Sequence, residues 1–124
     1  MSVKVEIHET DGVSVVSLNG RIVLGEESSV LREAVKNLMD AGKKKVVLDM
    51  SNVTYIDSAG LGILVSSYVS AKTQGALIRL CALGHKFREV LQLTRLLTIF
   101  EVYDTQADAI ASFRQSGSST AVAG

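Results

Sequence analysis

Charge of one sign is missing from this sequence: thirteen Lys and Arg stand against thirteen Asp and Glu across 124 residues, for a formal net charge of zero. That balance leaves no electrostatic footprint for nucleic acid. The one basic run, Lys43-Lys44-Lys45, has no aromatic residues interleaved with it. It reads as a solvated loop between a helix C-terminus, where cations are welcome, and a strand. Cysteine is almost absent. Cys81 has no partner within the chain for a disulfide and lies in an apolar run, so a reduced compartment and a structural role are expected. No apolar run approaches transmembrane length. Residues 1–6 alternate in polarity instead of carrying the apolar core of a signal peptide, so a cytosolic protein without direct membrane insertion is expected. The only histidines are His8 and His85, and with a single cysteine they match no metal-ligand spacing. A Gly-x-Ser-x-Gly elbow, a third glycine after Gly60-Leu61-Gly62 and a Gly-x-x-x-x-Gly-Lys loop are all missing. The expectation is therefore a protein that is not an enzyme, with no catalytic residue, no cofactor and no metal.

What is present suits one globular domain: 13.2 kDa, 47% hydrophobic and 21% charged. Val3, Val5 and Ile7 alternate with Lys4, Glu6 and His8, as in a half-buried antiparallel strand. Thr10-Asp11-Gly12 is a turn signal before a second β-branched run over 13–18, so the two predict a hairpin. The acids of Gly25-Glu26-Glu27 open a helix carrying Val30, Leu31, Ala34, Val35, Leu38 and Met39 on its apolar face, and Gly42 ends it. A strand over 46–50, a polar link over 51–56 and a helix over 58–73 follow. Next come a strand over 76–81, a helix after Gly84 with Phe87, Val90, Leu91 and Thr94 on one face, and a short strand over 99–103. Thr105-Gln106-Ala107-Asp108 resembles a capping box that opens a last helix. The expected fold is α/β: a mixed sheet with an N-terminal antiparallel hairpin, then parallel strands linked by helices, about four helices in all. Residues 1–115 form the domain, and the small, polar stretch 116–124 is expected to be a disordered tail.

One stretch stands out chemically. Asp57-Ser58-Ala59-Gly60-Leu61-Gly62 opens the second helix, and both Asp57 and Ser58 suit an N-cap, since either oxygen can accept from a first-turn N–H. Residue chemistry alone leaves open which of them caps and whether the Ser58 hydroxyl faces outward. A helix N-terminus favours an anion, so a phosphate on Ser58 would be carried without melting the helix.

This stretch, after Ser51-Asn52-Val53-Thr54-Tyr55-Ile56, resembles the signature of the STAS domain, and more narrowly the small bacterial anti-sigma factor antagonists. The likeness extends to Val16-Ser17-Leu18-Asn19-Gly20-Arg21-Ile22, Val47-Leu48-Asp49-Met50-Ser51, Leu91-Gln92-Leu93-Thr94 and residues 100–110. The resemblance implies that Ser58 is phosphorylated and that the modification decides which partner is bound. Unphosphorylated protein would sequester an anti-sigma factor that is also a serine kinase; phosphorylated protein would release it until a metal-dependent serine phosphatase restores Ser58. Asp57, Ala59, Gly60, Leu61 and Gly62 would form the partner-binding surface with Ser58, and the loop from Gly20 to Gly25 would flank it. One position departs from the family pattern: Val23 stands where many relatives carry an aspartate near the site. The alternative roles that the resemblance implies are a scaffold subunit of a signalling assembly and a soluble STAS subunit of a membrane transporter.

Overall fold

A computed structural model describes residues 4–22 and 26–123; the side chains of 23–28, 97 and 115–123 lie outside the described set. The chain runs β1 (Lys4–Thr10), β2 (Val13–Ile22), α1 (Glu26–Asp40), β3 (Lys45–Ile56), α2 (Ser58–Thr73), β4 (Leu77–Cys81), α3 (His85–Leu93), a 3-10 turn (Leu96–Thr98), β5 (Val102–Tyr103) and α4 (Gln106–Ala123). The five strands lie in the order β1-β2-β3-β4-β5. β1 is antiparallel to β2 and every later pair is parallel, as the alternation of strands and helices requires.

The hairpin forms at Asp11-Gly12, whose φ angles of 54° and 77° both lie in the left-handed region. That is the geometry of a type I′ turn, which matches the twist of the flanking strands. Side-chain alternation along the strands divides the core in two. Val16, Leu18, Val46, Leu48, Met50, Ile78 and Leu80 face Leu31 and Val35 of α1, Leu64 and Ala71 of α2, and Phe87 and Leu91 of α3. Val13, Val15, Val47 and Cys81 point to the other face and pack under Ala109, Ile110 and Phe113 of α4. The three crossover helices thus share one face and α4 covers the other.

Polar groups under α4 are matched. Arg79 is almost fully buried; it donates to Ser112 Oγ at 2.7 Å, and its guanidinium lies 4.3 Å from the centroid of the Phe113 ring. Asp49 accepts from the Ser51 N–H at 2.9 Å and from Gln106 Nε2 at 2.8 Å. Partial burial raises its pKa, but these hydrogen bonds and the nearby His8 outweigh that effect and hold the carboxyl below its usual range. Burial, together with the charge of Asp49, pushes the Cys81 thiol up to about 12, which makes it an inert core side chain.

Four local expectations change. Residues 51–56 are strand, not link: β3 continues to Ile56 and pairs with the end of β2 through Asn19↔Asn52, Gly20↔Val53, Arg21↔Tyr55 and Ile22↔Ile56. The last strand is two residues long, because Leu96–Thr98 closes a 3-10 turn after Arg95 takes a left-handed conformation with φ 63°. Of the apolar face expected on α3, Phe87 and Leu91 are buried while Val90 and Thr94 are exposed. In α4, Thr105 accepts from the Asp108 N–H at 3.0 Å, the first half of the capping box. The helix then continues through most of the segment expected to be a tail.

Candidate functional site

β2 and β3 run parallel and end side by side at Ile22 and Ile56. Ligands and partners of parallel sheets are met at such carboxyl ends, where strands hand over to loops and helix N-termini. Here the chain turns within one residue, Asp57, into α2. The Asp57 N–H donates to the Ile22 carbonyl at 3.3 Å, which ties the start of the helix to the end of β2.

Asp57 is the N-cap. Its backbone is extended (φ −100°, ψ −178°), and Oδ1 accepts from the Gly60 N–H at 2.8 Å. That settles the choice the sequence leaves open. With the aspartate capping, Ser58 becomes the first helical residue; it is exposed, and its hydroxyl makes no hydrogen bond among the described residues. The Leu61 N–H bonds to the Asp57 carbonyl at 2.9 Å. Among the described residues, the N–H groups of Ser58 and Ala59 are therefore the ones with no acceptor shown in the first turn. An added anion at Ser58 would meet two open donors and the positive end of the helix dipole.

Replacing Asp57 with Ala is expected to lower the unfolding free energy by about 1 kcal/mol, the usual loss for an N-cap, while Asp57→Asn stays close to wild type. Thermal unfolding of the two variants checks this; equal melting temperatures for both would contradict the capping role.

The other motif residues divide by environment. Ala59 is half-buried and Leu61 packs against the core. Gly62 is exposed, and a Cβ added there meets nothing within 4 Å. Gly60 is buried, and a Cβ there would fall on the Ile22 carbonyl oxygen, with the carbonyl carbon 2.9 Å away. The room left by Gly60 is thus filled from within by the end of β2, whereas the room left by Gly62 opens to solvent.

Past this turn the helix stays uncharged. No Asp, Glu, Lys or Arg occurs from Ser58 until Lys72, and the exposed positions are Gly62, Ser66, Val69 and Ser70. A protein partner laid along this face would have little charge to desolvate, the pattern of an interface centre.

Tyr55 is not among the site residues expected from sequence, and Arg21 enters that expectation only as part of the flanking Gly20–Gly25 loop. Tyr55 is 53% exposed, and the Arg21 guanidinium lies 5.4 Å from its ring centroid. Their pairing rests on the added strand length at 52–56, so only the register reveals it. Beyond Tyr55, a cavity of about 430 Å³ separates the end of β3 from the start of α3, lined by Val53, Ile56, Phe87, Val90, His85 and Lys86 among others. His85 thus faces that cavity and His8 lies on β1; neither hydrogen-bonds to Ser58 among the described residues. Among the described residues no group of three metal-binding side chains occurs, and no helix is long and apolar enough to cross a membrane. Val23 and the rest of the loop to Gly25 lie outside the described residues.

The chain is 32% identical over 112 residues to BtrV of Bordetella bronchiseptica, described as an anti-sigma factor antagonist, with 90% of this chain and 95% of that protein covered. Its fold superposes on the crystal structure of an anti-sigma factor antagonist from Mycobacterium paratuberculosis with a TM-score of 0.78 at 29% identity, covering 91% and 95% of the two chains. It also shares the fold of unphosphorylated SpoIIAA, a Bacillus anti-sigma factor antagonist, with a TM-score of 0.70 at 17% identity over 90% of this chain and 98% of that one. The STAS domain family model matches residues 4–109, which span the whole sheet and the start of α4, and the chain belongs to that family.

Proposed function

We propose that this protein is an anti-sigma factor antagonist that works by exchanging partners. With Ser58 unmodified, it binds an anti-sigma factor that is also a serine kinase, using the first turns of α2 from Asp57 to Gly62. Phosphorylation of Ser58 releases that partner, and a metal-dependent serine phosphatase resets the switch. The chain acts as a cytosolic binding module and substrate, not as a catalyst.

The observation that carries this reading is the division of labour at Asp57 and Ser58. One oxygen caps the helix, so the other is exposed and unengaged among the described residues. Kinship with BtrV supports the same role. Phosphate adds roughly −1.5 to −2 charges at neutral pH. On an otherwise uncharged helix face this inverts the local electrostatics without any need to refold.

Incubation of the chain with its anti-sigma kinase and Mg-ATP is expected to place one phosphate on Ser58 and none on the Ser58→Ala variant, read by mass spectrometry of the peptides. Phosphate found only on other side chains would overturn the proposal.

A further inference from the structure

β4 ends at Cys81, paired with Asp49, while β3 runs on to Ile56. The cause is local. Ala82 takes a left-handed conformation with φ 58°, uncommon for a residue other than glycine, and its N–H bonds to the Tyr103 carbonyl at 3.0 Å. The chain is thereby turned toward β5 and away from β3. Among the described residues, 52–56 pair with β2 alone. Alternate N–H and C=O groups on the α3 side of β3 therefore form a short open edge, the kind that accepts an added strand. The cavity of about 430 Å³ lies along this edge, with Val53, Tyr55 and Ile56 on one wall and Phe87 and Val90 of α3 on the other. Tyr55 is 53% exposed and Val90 37%. We propose that an extended segment of the anti-sigma kinase enters this slot as a strand beside β3, with an apolar side chain against Tyr55 and Val90 and a carboxylate at Lys86.

Three observations choose that occupant. The open ladder calls for main-chain amides in extended conformation, which a peptide supplies repeatedly and a small organic anion does not. Charge then selects the kind of peptide. Lys86 lines the slot, no Asp or Glu does, and the Arg21 guanidinium stands 5.4 Å from the Tyr55 ring centroid. The neighbouring acid, Asp57, turns Oδ1 into the first turn of α2, onto the Gly60 N–H at 2.8 Å. A segment carrying Asp or Glu is complementary to these walls, and a basic one is repelled. Position selects its owner. Ile56 lines the slot and Asp57 opens the surface assigned to the kinase, so the two surfaces are continuous. The inference rests on that assignment.

The test is amide hydrogen exchange of the full chain, free and saturated with the kinase, together with calorimetric titration of variants. Binding is expected to slow exchange at alternate amides within 52–56 as well as in the first turn of α2. Lys86→Glu and Val90→Asp are each expected to weaken binding by about tenfold, while Lys86→Arg stays within about threefold of wild type. Both side chains are exposed, and circular dichroism confirms that the variants are folded. Protection of α2 alone, with Lys86→Glu at wild-type affinity, overturns the inference and leaves the switch at Ser58 standing. Binding that the slot variants weaken but Ser58→Asp does not upholds the slot and removes the switch. A kinase with no affinity for the chain overturns both. Protection of 52–56 in the free chain that disappears on dilution gives the slot to a second copy and overturns the choice of occupant.

Discussion

Gly60→Ala is expected to destabilise the protein by about 1–3 kcal/mol, while Gly62→Ala, two residues along the same helix, is expected to stabilise it by about 1 kcal/mol. In an unconstrained helix both changes would help, because alanine loses less backbone entropy than glycine. Gly62 is in that situation, since nothing lies within 4 Å of an added Cβ. Gly60 is not. Its Cβ would land on the Ile22 carbonyl oxygen, which is backbone and has no rotamer to change. Either α2 lifts off the end of β2 or the strand end moves, and both break the hydrogen bond from the Asp57 N–H to that same oxygen. Crowding costs typically about 1–3 kcal/mol and the lost bond about 1, against about 1 recovered from propensity. Urea unfolding of the two variants measures the difference through the midpoints, given unchanged slopes. A Gly60→Ala protein as stable as wild type would mean that α2 does not rest on β2. The pair also separates fold from binding, since Gly62→Ala leaves the fold intact and adds a methyl group only on the outer surface.

The same contrast shows what could be read from the sequence. Hairpin, helix order and core alternation were legible because each follows from periodicity and from turn residues such as Asp11-Gly12, whose φ angles do what that pair permits. The motif was legible as a helix start. Which oxygen caps was not, since Asp57 and Ser58 are equally good acceptors and only the entry angle from β3 decides between them. Nor was the role of Gly60, because its constraint comes from Ile22, 38 positions away in sequence and adjacent only through the parallel pairing of β2 and β3. Residues 51–56 were missed as strand for a related reason. Ser51, Asn52, Thr54 and Tyr55 are all exposed, so no buried face imposes a period of two on them. The ladder also shifts register between Ser17 and Asn19 and again between Gly20 and Arg21. Tertiary pairing, not local preference, makes this stretch β, and it carries the Arg21–Tyr55 pair to the rim of the site.

Phosphorylated Ser58 is expected to bind the anti-sigma kinase at least about a hundredfold more weakly than the unmodified chain, with the thermal midpoint of the free protein almost unchanged. A hundredfold corresponds to about 2.7 kcal/mol. Burying a doubly charged group against a surface shaped for a neutral hydroxyl costs on the order of 2–5 kcal/mol unless the partner supplies a matching cation. The free protein has no such cost. The phosphate sits at the N-terminus of α2, where the open N–H groups and the dipole favour an anion by up to about 1 kcal/mol, enough to offset repulsion from Asp57. Ser58→Ala keeps a small neutral side chain and should bind like wild type. Ser58→Asp carries one charge on a shorter stem and should lose about tenfold, since it reproduces half the charge and less of the bulk. Calorimetric titration of the partner with the four forms gives the affinities, and thermal unfolding of the same samples shows whether the effect is local. Equal affinity across the four would remove the switch. A phosphoprotein whose α2 melts would replace it with an unfolding mechanism, because release would then come from loss of the docking face rather than from the charge placed on it.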